Sequence, residues 1–249
     1  MSAPSPEDSP VRALRYRYHT RKAVFLSRYE TLLVRRALSQ GRPTNESIGG
    51  RRVFWAFKRF FDIIWSLFLL GPMLLIAAAL LLLNPFFNPG PLFFVQIRMG
   101  RGCRAFHVLK FRTMVSRTTT KESARRGADD PIDCHRITPL GRCLRKTRID
   151  ELPQIINVLK GDMSLIGPRP DYFAHARTYV RQIPGYRERH MIRPGISGLA
   201  QVEHGYAEGV AATQRKAELD LQYIRDAGFA LDWCIFVKTL RTVLIRDGK

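Results

Sequence analysis

Residues 63–83 read IIWSLFLLGPMLLIAAALLLL, 21 positions without a charge. A straight helix of that length rises about 31 Å, enough to cross the hydrocarbon core of a bilayer. Buried helices of soluble proteins rarely run so far without a polar residue. Two features argue against a simple crossing. Gly71-Pro72 stands near the middle, where proline removes a backbone donor and glycine weakens a helix. Both flanks are basic, with Arg51, Arg52, Lys58 and Arg59 before the segment and Arg98, Arg101, Arg104, Lys110 and Arg112 after it. Lys and Arg beside an apolar segment tend to stay inside. The reading that meets both facts is a re-entrant helix–break–helix, broken at Gly71 and Pro72, that returns to the face it entered. Carbonyls freed at the break need partners, with Ser66 or neighbouring protein as candidates. Asn84-Pro85 and Asn88-Pro89-Gly90-Pro91 form the expected exit turn.

The rest of the composition fits a membrane-bound globular chain. The 249 residues are 45% hydrophobic and 25% charged, which excludes bulk disorder and a collagen-like repeat. Lys and Arg number 41 against 21 Asp and Glu, a net charge of +20. So basic a chain usually meets a polyanion, whether nucleic acid, an anionic membrane face or phosphorylated substrates. A generally basic proteome is the bland alternative. Cys103, Cys134, Cys143 and Cys234 form no C-x-x-C pair and stand at no zinc spacing, so they read as reduced packing residues.

Three segments follow. Residues 1–50 are a basic amino-terminal tail, in which Phe25, Tyr29, Leu32 and Leu33 mark an amphipathic helix over 23–40. That helix can lie on an anionic membrane or on its own domain. Residues 51–91 read as the membrane hairpin, and residues 92–249 as a domain on the cytoplasmic face. In that domain 92–98 and 105–111 read as strands around Gly100-Arg101-Gly102. Residues 116–130 read as a mobile loop. Helices are expected over 139–148, 153–160, 171–182, 213–227 and 231–246. The last carries Trp233, Phe236, Val237 and Leu240 on one face, a second candidate for membrane contact. The expected fold is of α/β type: a compact cytoplasmic domain, mostly helical with a few short strands, bearing one re-entrant element and amphipathic surface helices.

Three signals carry chemistry. Asp150-Glu151, in RKTRIDELPQ, is an acid pair with Arg145, Lys146 and Arg148 beside it and Pro153 at a helix start. Such a pair can stay ionised, hold a divalent metal and attack phosphorus. It can equally be a capped helix with surface salt bridges. Gly167-Pro168-Arg169-Pro170 fixes one guanidinium between two prolines, suited to a phosphate or a base, or serves as a loop staple. Lys110-Phe111-Arg112 puts two cations at a strand end, near a site or on a solvated edge.

Together these blocks resemble the bacterial sugar transferase family, the monotopic phosphoglycosyl transferases. The matching blocks are KRFFD (58–62), the apolar segment with its proline, PGPLFFVQIRMGRG (89–102) and KFRTM (110–114). RITPLGRCLRKTRIDELPQIINVLKGDMSLIGPRP (136–170), RPGISGLAQV (193–202) and ELDLQYI (218–224) continue the series. The large multi-pass amino-terminal region of some relatives is absent, so the chain resembles a short, exopolysaccharide-type form. The resemblance implies transfer of a sugar-1-phosphate from a UDP-sugar to a polyprenyl phosphate such as undecaprenyl phosphate, with release of UMP and a requirement for Mg²⁺. By motif, Asp150 corresponds to the nucleophile that forms a phosphosugar–enzyme intermediate, and Glu151 to its magnesium-associated partner. Both are therefore the expected metal residues. Arg145 corresponds to a supporting arginine. Lys110 and Arg112 match cations near the active site. Pro168, Arg169 and Pro170 match the motif associated with nucleotide binding.

The resemblance has departures. Gly71-Pro72 stands where relatives often have Ser-Pro. Ala200-Gln201-Val202 replaces the commoner continuation and points to galactose or glucose. Asp220 matches a recurrent acid whose role, metal or nucleotide contact, is open. The implied location is the cytoplasmic face of the bacterial inner membrane. The oligomeric state is open, a homodimer among the options.

Rival classes explain less. A nucleic-acid binder accounts for the charge but not for residues 63–83, and no nucleic-acid motif is present. A non-catalytic basic membrane adaptor accounts for the anchor but leaves Asp150-Glu151 as surface charge. The topology is testable. Cysteines introduced near residues 45 and 95 should both label only from the cytoplasmic side; periplasmic labelling of the first would overturn the re-entrant reading.

Overall fold

The computed structural model describes residues 51–115, 134–204 and 210–244. The expected helix over 23–40 and the loop over 116–130 lie outside these residues. Helix α1, Arg52–Phe87, is 36 residues long. Among the described residues it is the one helix long and apolar enough to cross a membrane. It is one continuous element through Pro72 and Pro85, which corrects the expected helix–break–helix. A proline deletes one donor from the hydrogen-bond ladder, and the bonds on either side can persist. The exit turn likewise begins at Asn88, not Asn84. The Asn88 N–H donates to the Asn84 carbonyl at 2.9 Å, and Asn84 Nδ2 reaches forward to the Gly90 carbonyl at 2.9 Å.

The buried positions of α1 are Phe54, Lys58, Asp62, Ser66, Met73, Ala77, Leu80 and Asn84. Their spacing of four, with steps of seven and three, draws one stripe down the helix. The polarity is inverted relative to a soluble helix. Lys58, Asp62 and Ser66 face protein, while Phe68, Leu75, Leu82 and Phe86 are 68–80% exposed. The stripe lies on the domain at both ends. Near the start, Arg51 caps the carbonyls of Ile224, Arg225 and Ala227. Lys58 Nζ meets Asp232 Oδ2 at 2.6 Å, and Asp62 Oδ1 accepts the Leu165 N–H at 3.0 Å. Farther on, Met73, Ala77 and Leu80 pack with Phe111, Leu144 and Ile155.

Strands β1 (Phe93–Met99) and β2 (Ala105–Phe111) form an antiparallel hairpin with Phe94 opposite Lys110. Its turn passes through Gly102 at φ 67°, a left-handed position that suits glycine. Helix α2 is Pro139–Lys146, with Thr138 Oγ1 accepting the Gly141 N–H at 3.0 Å as N-cap. Helix α3 is Gln154–Lys160. Strands β3 (Ser164–Ile166) and β4 (Gly195–Ser197) make a parallel pair. A Cβ on Gly195 or Gly198 would overlap the backbone of Gly167, so glycine is required where these strands meet. Helices α4 (Phe173–Gln182), α5 (Leu199–His204), α6 (Val210–Asp226) and α7 (Phe229–Leu244) complete the domain.

The main core joins Phe54 of α1 to Ile192, Leu199, Tyr223, Ile224 and Ile235. Helix α7 lies beside α1 through the Phe54–Phe229 and Trp65–Phe236 ring pairs. Its Phe229, Trp233, Val237 and Leu240 stay exposed, extending the apolar surface of α1. Cys103, Cys143 and Cys234 are free thiols, and Cys143 is exposed where packing was expected.

One buried group makes stability depend on pH. His190, 5% exposed, has its pKa lowered from 6.5 to about 3, first by burial and then by the adjacent Arg189. Below pH 6.5 the unfolded chain binds a proton that the folded chain refuses until about pH 3. Stability should therefore fall through that window by about 1.4 kcal/mol per pH unit from this group. Urea midpoints at pH 6 and pH 5 should show the slope, and His190→Gln should flatten it by that amount.

Candidate active site

The chain reverses between α2 and α3. Arg148 takes the left-handed conformation at φ 59°, and Ile149–Glu151 form a 3-10 turn. A non-glycine residue there is uncommon and clusters at functional positions. The turn buries two adjacent carboxylates, Asp150 at 7% and Glu151 at 9% exposure. Two such charges need cations close by.

Glu151 receives them. Lys110 Nζ donates to its Oε1 at 2.8 Å, and Arg169 Nη1 to its Oε2 at 3.0 Å. Arg169 Nη2 also donates to Oε1, which completes a bidentate fork. Burial pushes the Glu151 carboxyl up, but Arg169 and Lys110 together hold it well below the ordinary carboxylate range. Asp150 differs. Among the described residues its carboxylate has no hydrogen bond or ion pair. Burial raises its pKa and the Glu151 charge raises it further; Lys110, Arg145 and Arg169 offset only part of this. One carboxylate is clamped, and its neighbour is left uncommitted.

Each cation is placed by its own element. Lys110 comes from β2, which Asn157 of α3 fastens down. Asn157 Oδ1 accepts the Leu109 N–H at 3.0 Å, and its Nδ2 donates to the His107 carbonyl at 2.7 Å. Arg169 leaves the β3–β4 junction. The Gly167 N–H donates to Ser197 at 2.8 Å, the Gly195 N–H to Pro168 at 3.0 Å, and Arg169 Nη1 to Ile196 at 3.0 Å. Two further arginines hold the loop backbone: Arg189 on the Arg169 carbonyl at 2.6 Å and Arg98 on the Pro170 carbonyl at 2.8 Å. Behind them Asp171 accepts from Tyr186, Arg189 and Lys216, and its carboxyl lies far below its usual range because Lys216 and Arg189 outweigh burial. Arg189 also meets Asp220 at 2.7 Å, both 1% exposed.

Lys110 and Arg169 therefore converge on Glu151, with Pro168 and Pro170 framing Arg169. Arg145, half-buried in the last turn of α2, stands within electrostatic reach of Asp150. Arg112 is engaged elsewhere. Its guanidinium donates to Pro91 at 2.7 Å, to Met114 at 3.3 Å and to Asn88, bracing the turn after α1. Gly71 and Pro72 are exposed on α1. Asp220, whose role was open between metal and nucleotide, faces Arg189 inside the protein. Spacing alone does not find Asn157, Arg98, Asp171, Arg189 or Lys216. Only Asp171, directly after Gly-Pro-Arg-Pro, carries a local signal.

Among the described residues no three His, Cys, Asp or Glu side chains gather as a metal site. The donor set is Asp150 with Glu151. Mg²⁺ is commonly held by one or two carboxylates together with substrate phosphates, so this pair fits it. Asp150 has free oxygens, whereas those of Glu151 already accept three N–H donors.

Residues 53–246 match the bacterial sugar transferase family model, and the chain belongs to that family. It is 44% identical over 200 residues to UDP-N-acetylgalactosamine-undecaprenyl-phosphate N-acetylgalactosaminephosphotransferase of Aeromonas hydrophila, covering 79% of this chain and 45% of that protein. It is 40% identical over 198 residues to UDP-glucose:undecaprenyl-phosphate glucose-1-phosphate transferase of Caulobacter vibrioides, covering 77% and 71%. It is 38% identical over 198 residues to exopolysaccharide production protein PSS of Rhizobium leguminosarum, covering 76% and 96%. The chain thus spans less than half of the Aeromonas protein.

The buried charge network has a measurable cost of disruption. Asp220→Ala leaves Arg189 under-compensated in the interior and should lower unfolding free energy by about 3 kcal/mol. Cys143→Ser, on the surface, should change it by less than about 0.5 kcal/mol. Chemical denaturation of the two variants reads the difference.

Proposed function

We propose that this chain transfers a sugar-1-phosphate from a UDP-sugar to undecaprenyl phosphate, releasing UMP, at the start of exopolysaccharide assembly. The observation that carries the reading is the division between Asp150 and Glu151. Glu151 is locked under Arg169 and Lys110, while the Asp150 carboxylate keeps both oxygens unengaged among the described residues. A carboxylate destabilised by burial is a better nucleophile than one held by hydrogen bonds. An adaptor has no use for such an arrangement.

In the first step an Asp150 oxygen attacks the β-phosphorus of the UDP-sugar. The bond from that phosphorus to the bridging oxygen breaks, and UMP leaves with the oxygen. In the second step a phosphate oxygen of the lipid attacks the same phosphorus. The Asp150–phosphorus bond breaks, giving the polyprenyl diphosphate sugar and restoring the carboxylate. Two covalent steps let one small site handle two bulky anions in turn. Asp150 and Glu151 would hold Mg²⁺, which when bound neutralises phosphate oxygens. Arg145 is placed to add positive charge beside Asp150, and Arg169 and Lys110 keep Glu151 ionised.

The lipid substrate accords with the exposed apolar faces of α1 and α7, which call for an apolar surround. A straight helix of 36 residues is about 54 Å long, well beyond the roughly 30 Å hydrocarbon core. Its two halves both lie on the same domain, which supports a re-entrant or in-plane path at the cytoplasmic face of the inner membrane. For the sugar, the Aeromonas and Caulobacter relatives' names point to N-acetylgalactosamine and glucose. The galactose alternative has only Ala200-Gln201-Val202 behind it.

Purified protein with Mg²⁺, undecaprenyl phosphate and UDP-glucose, UDP-N-acetylgalactosamine or UDP-galactose should release UMP with at least one donor. Asp150→Asn should reduce release by about 10³-fold or more. Release that survives in Asp150→Asn would remove the nucleophile assignment, and a folded wild type silent with all three donors would remove the reaction.

A further inference from the structure

The first turn of α3 carries a polar side chain that the two transfer steps leave unused. Gln154 is 2% exposed, and its Nε2 is buried without a hydrogen-bond partner. Neither end of the carboxamide is hydrogen-bonded among the described residues. Leaving a buried amide donor unpaired is destabilising. Asn157, on the same helix, is the contrast, since both ends of its amide are used on β2.

The register places Gln154 one turn after Asp150, on the same face. From Ile149 to Lys160 the backbone is helical almost without interruption, with Leu152 at φ −56°, ψ −37° and Pro153 at φ −60°, ψ −15° between the 3-10 turn and α3. Asp150, Gln154 and Asn157 recur at i, i+4 and i+7, so they share a face. At one end of that face Asn157 grips β2 at His107 and Leu109. At the other stands Asp150, with Lys110, the next residue of β2, bonded to Glu151. Gln154 lies between the two, one turn from the uncommitted carboxylate.

We propose that Gln154 is a further catalytic residue of the transfer, its Nε2–H donating to a non-bridging oxygen of the phosphoryl group as that group passes to and from Asp150. The inference rests on Asp150 as nucleophile. A neutral donor suits the position. It stabilises charge on the phosphoryl oxygens without pairing with Asp150 as a lysine would, and a preorganised donor of this kind needs no reorganisation as charge develops. The donor offered for that bond is the buried Nε2–H, which no protein group among the described residues engages.

Two variants test this. Gln154→Met keeps volume and removes the donor. It should lower kcat by about 10²–10³-fold, with kcat/KM falling in parallel. Its Tm should match or exceed that of the wild type, because an unsatisfied donor has gone. Gln154→Glu keeps the shape and presents an anion to phosphate, so it should lose at least as much activity. A Gln154→Met turnover within about threefold of wild type, less than 1 kcal/mol in barrier, would overturn the proposal. So would a Tm lowered by about 4 °C or more, since that marks an amide already satisfied by water or protein. Wild-type UMP release, measured alongside, separates the two levels. Its absence is failure of the transfer reading, whereas normal wild-type release with an unslowed Gln154→Met is failure of this inference.

Discussion

The fork of Arg169 on Glu151 is the contact on which the rest of this site depends. Two neighbouring carboxylates cannot stay charged in a protein interior unless cations are brought to them. Here Glu151 takes the hydrogen bonds of Arg169 and Lys110, whereas Asp150 feels those cations and Arg145 only through space, which offsets part of the cost of its burial. On the proposed reading, that asymmetry is what leaves one acid of the pair for the transfer. A symmetric arrangement would neutralise both acids and leave neither free to react. To hold the fork, Arg169 is fixed on both sides: its side chain by Glu151 and the Ile196 carbonyl, its backbone by Arg189.

That demand propagates into the fold. Arg189 is itself a buried charge, and it is balanced by Asp171 and Asp220, with Lys216 completing an even count of two acids and two bases. The glycines at 167, 195 and 198 allow the β3 and β4 backbones to approach closely enough for the loop to leave in one direction. Lys110 arrives by a separate route, on a hairpin bound to α3 by one asparagine. The site is thus assembled from three parts of the chain remote in sequence, each locked by backbone hydrogen bonds rather than by packing alone.

Much of this was legible in the residues, and the reason lies in locality. Asp150-Glu151, Gly167-Pro168-Arg169-Pro170 and Lys110 are each visible because two or three adjacent residues carry the signal. The hairpin and most of the helices follow from apolar period and from turn residues. What was not legible is pairing at a distance. Three-residue strands such as 164–166 and 195–197 are too short to alternate, and only their parallel contact defines them. Arg112 sits one residue past its strand, yet its guanidinium turns back to Asn88 and Pro91, a direction that sequence does not carry. Asp220 reads as a candidate ligand until Arg189 is found against it. Proline misleads in the opposite sense: Pro72 signals a break, but one absent donor did not end a helix so rich in leucine.

The inverted stripe of α1 makes anchor and enzyme inseparable. Phe54 shares a core with Ile224 and Ile235, and Met73, Ala77 and Leu80 share another with Phe111 and Ile155. Asp62 completes the hydrogen bonding of the β3 backbone, and Lys58 answers the charge of Asp232. A truncated chain beginning after Phe87 would not be a water-soluble enzyme merely freed of an apolar helix. It would expose two halves of a hydrophobic interior and strand Asp232 without its cation. The helix that carries the exposed apolar face also completes the interior, so it cannot be deleted without opening the core.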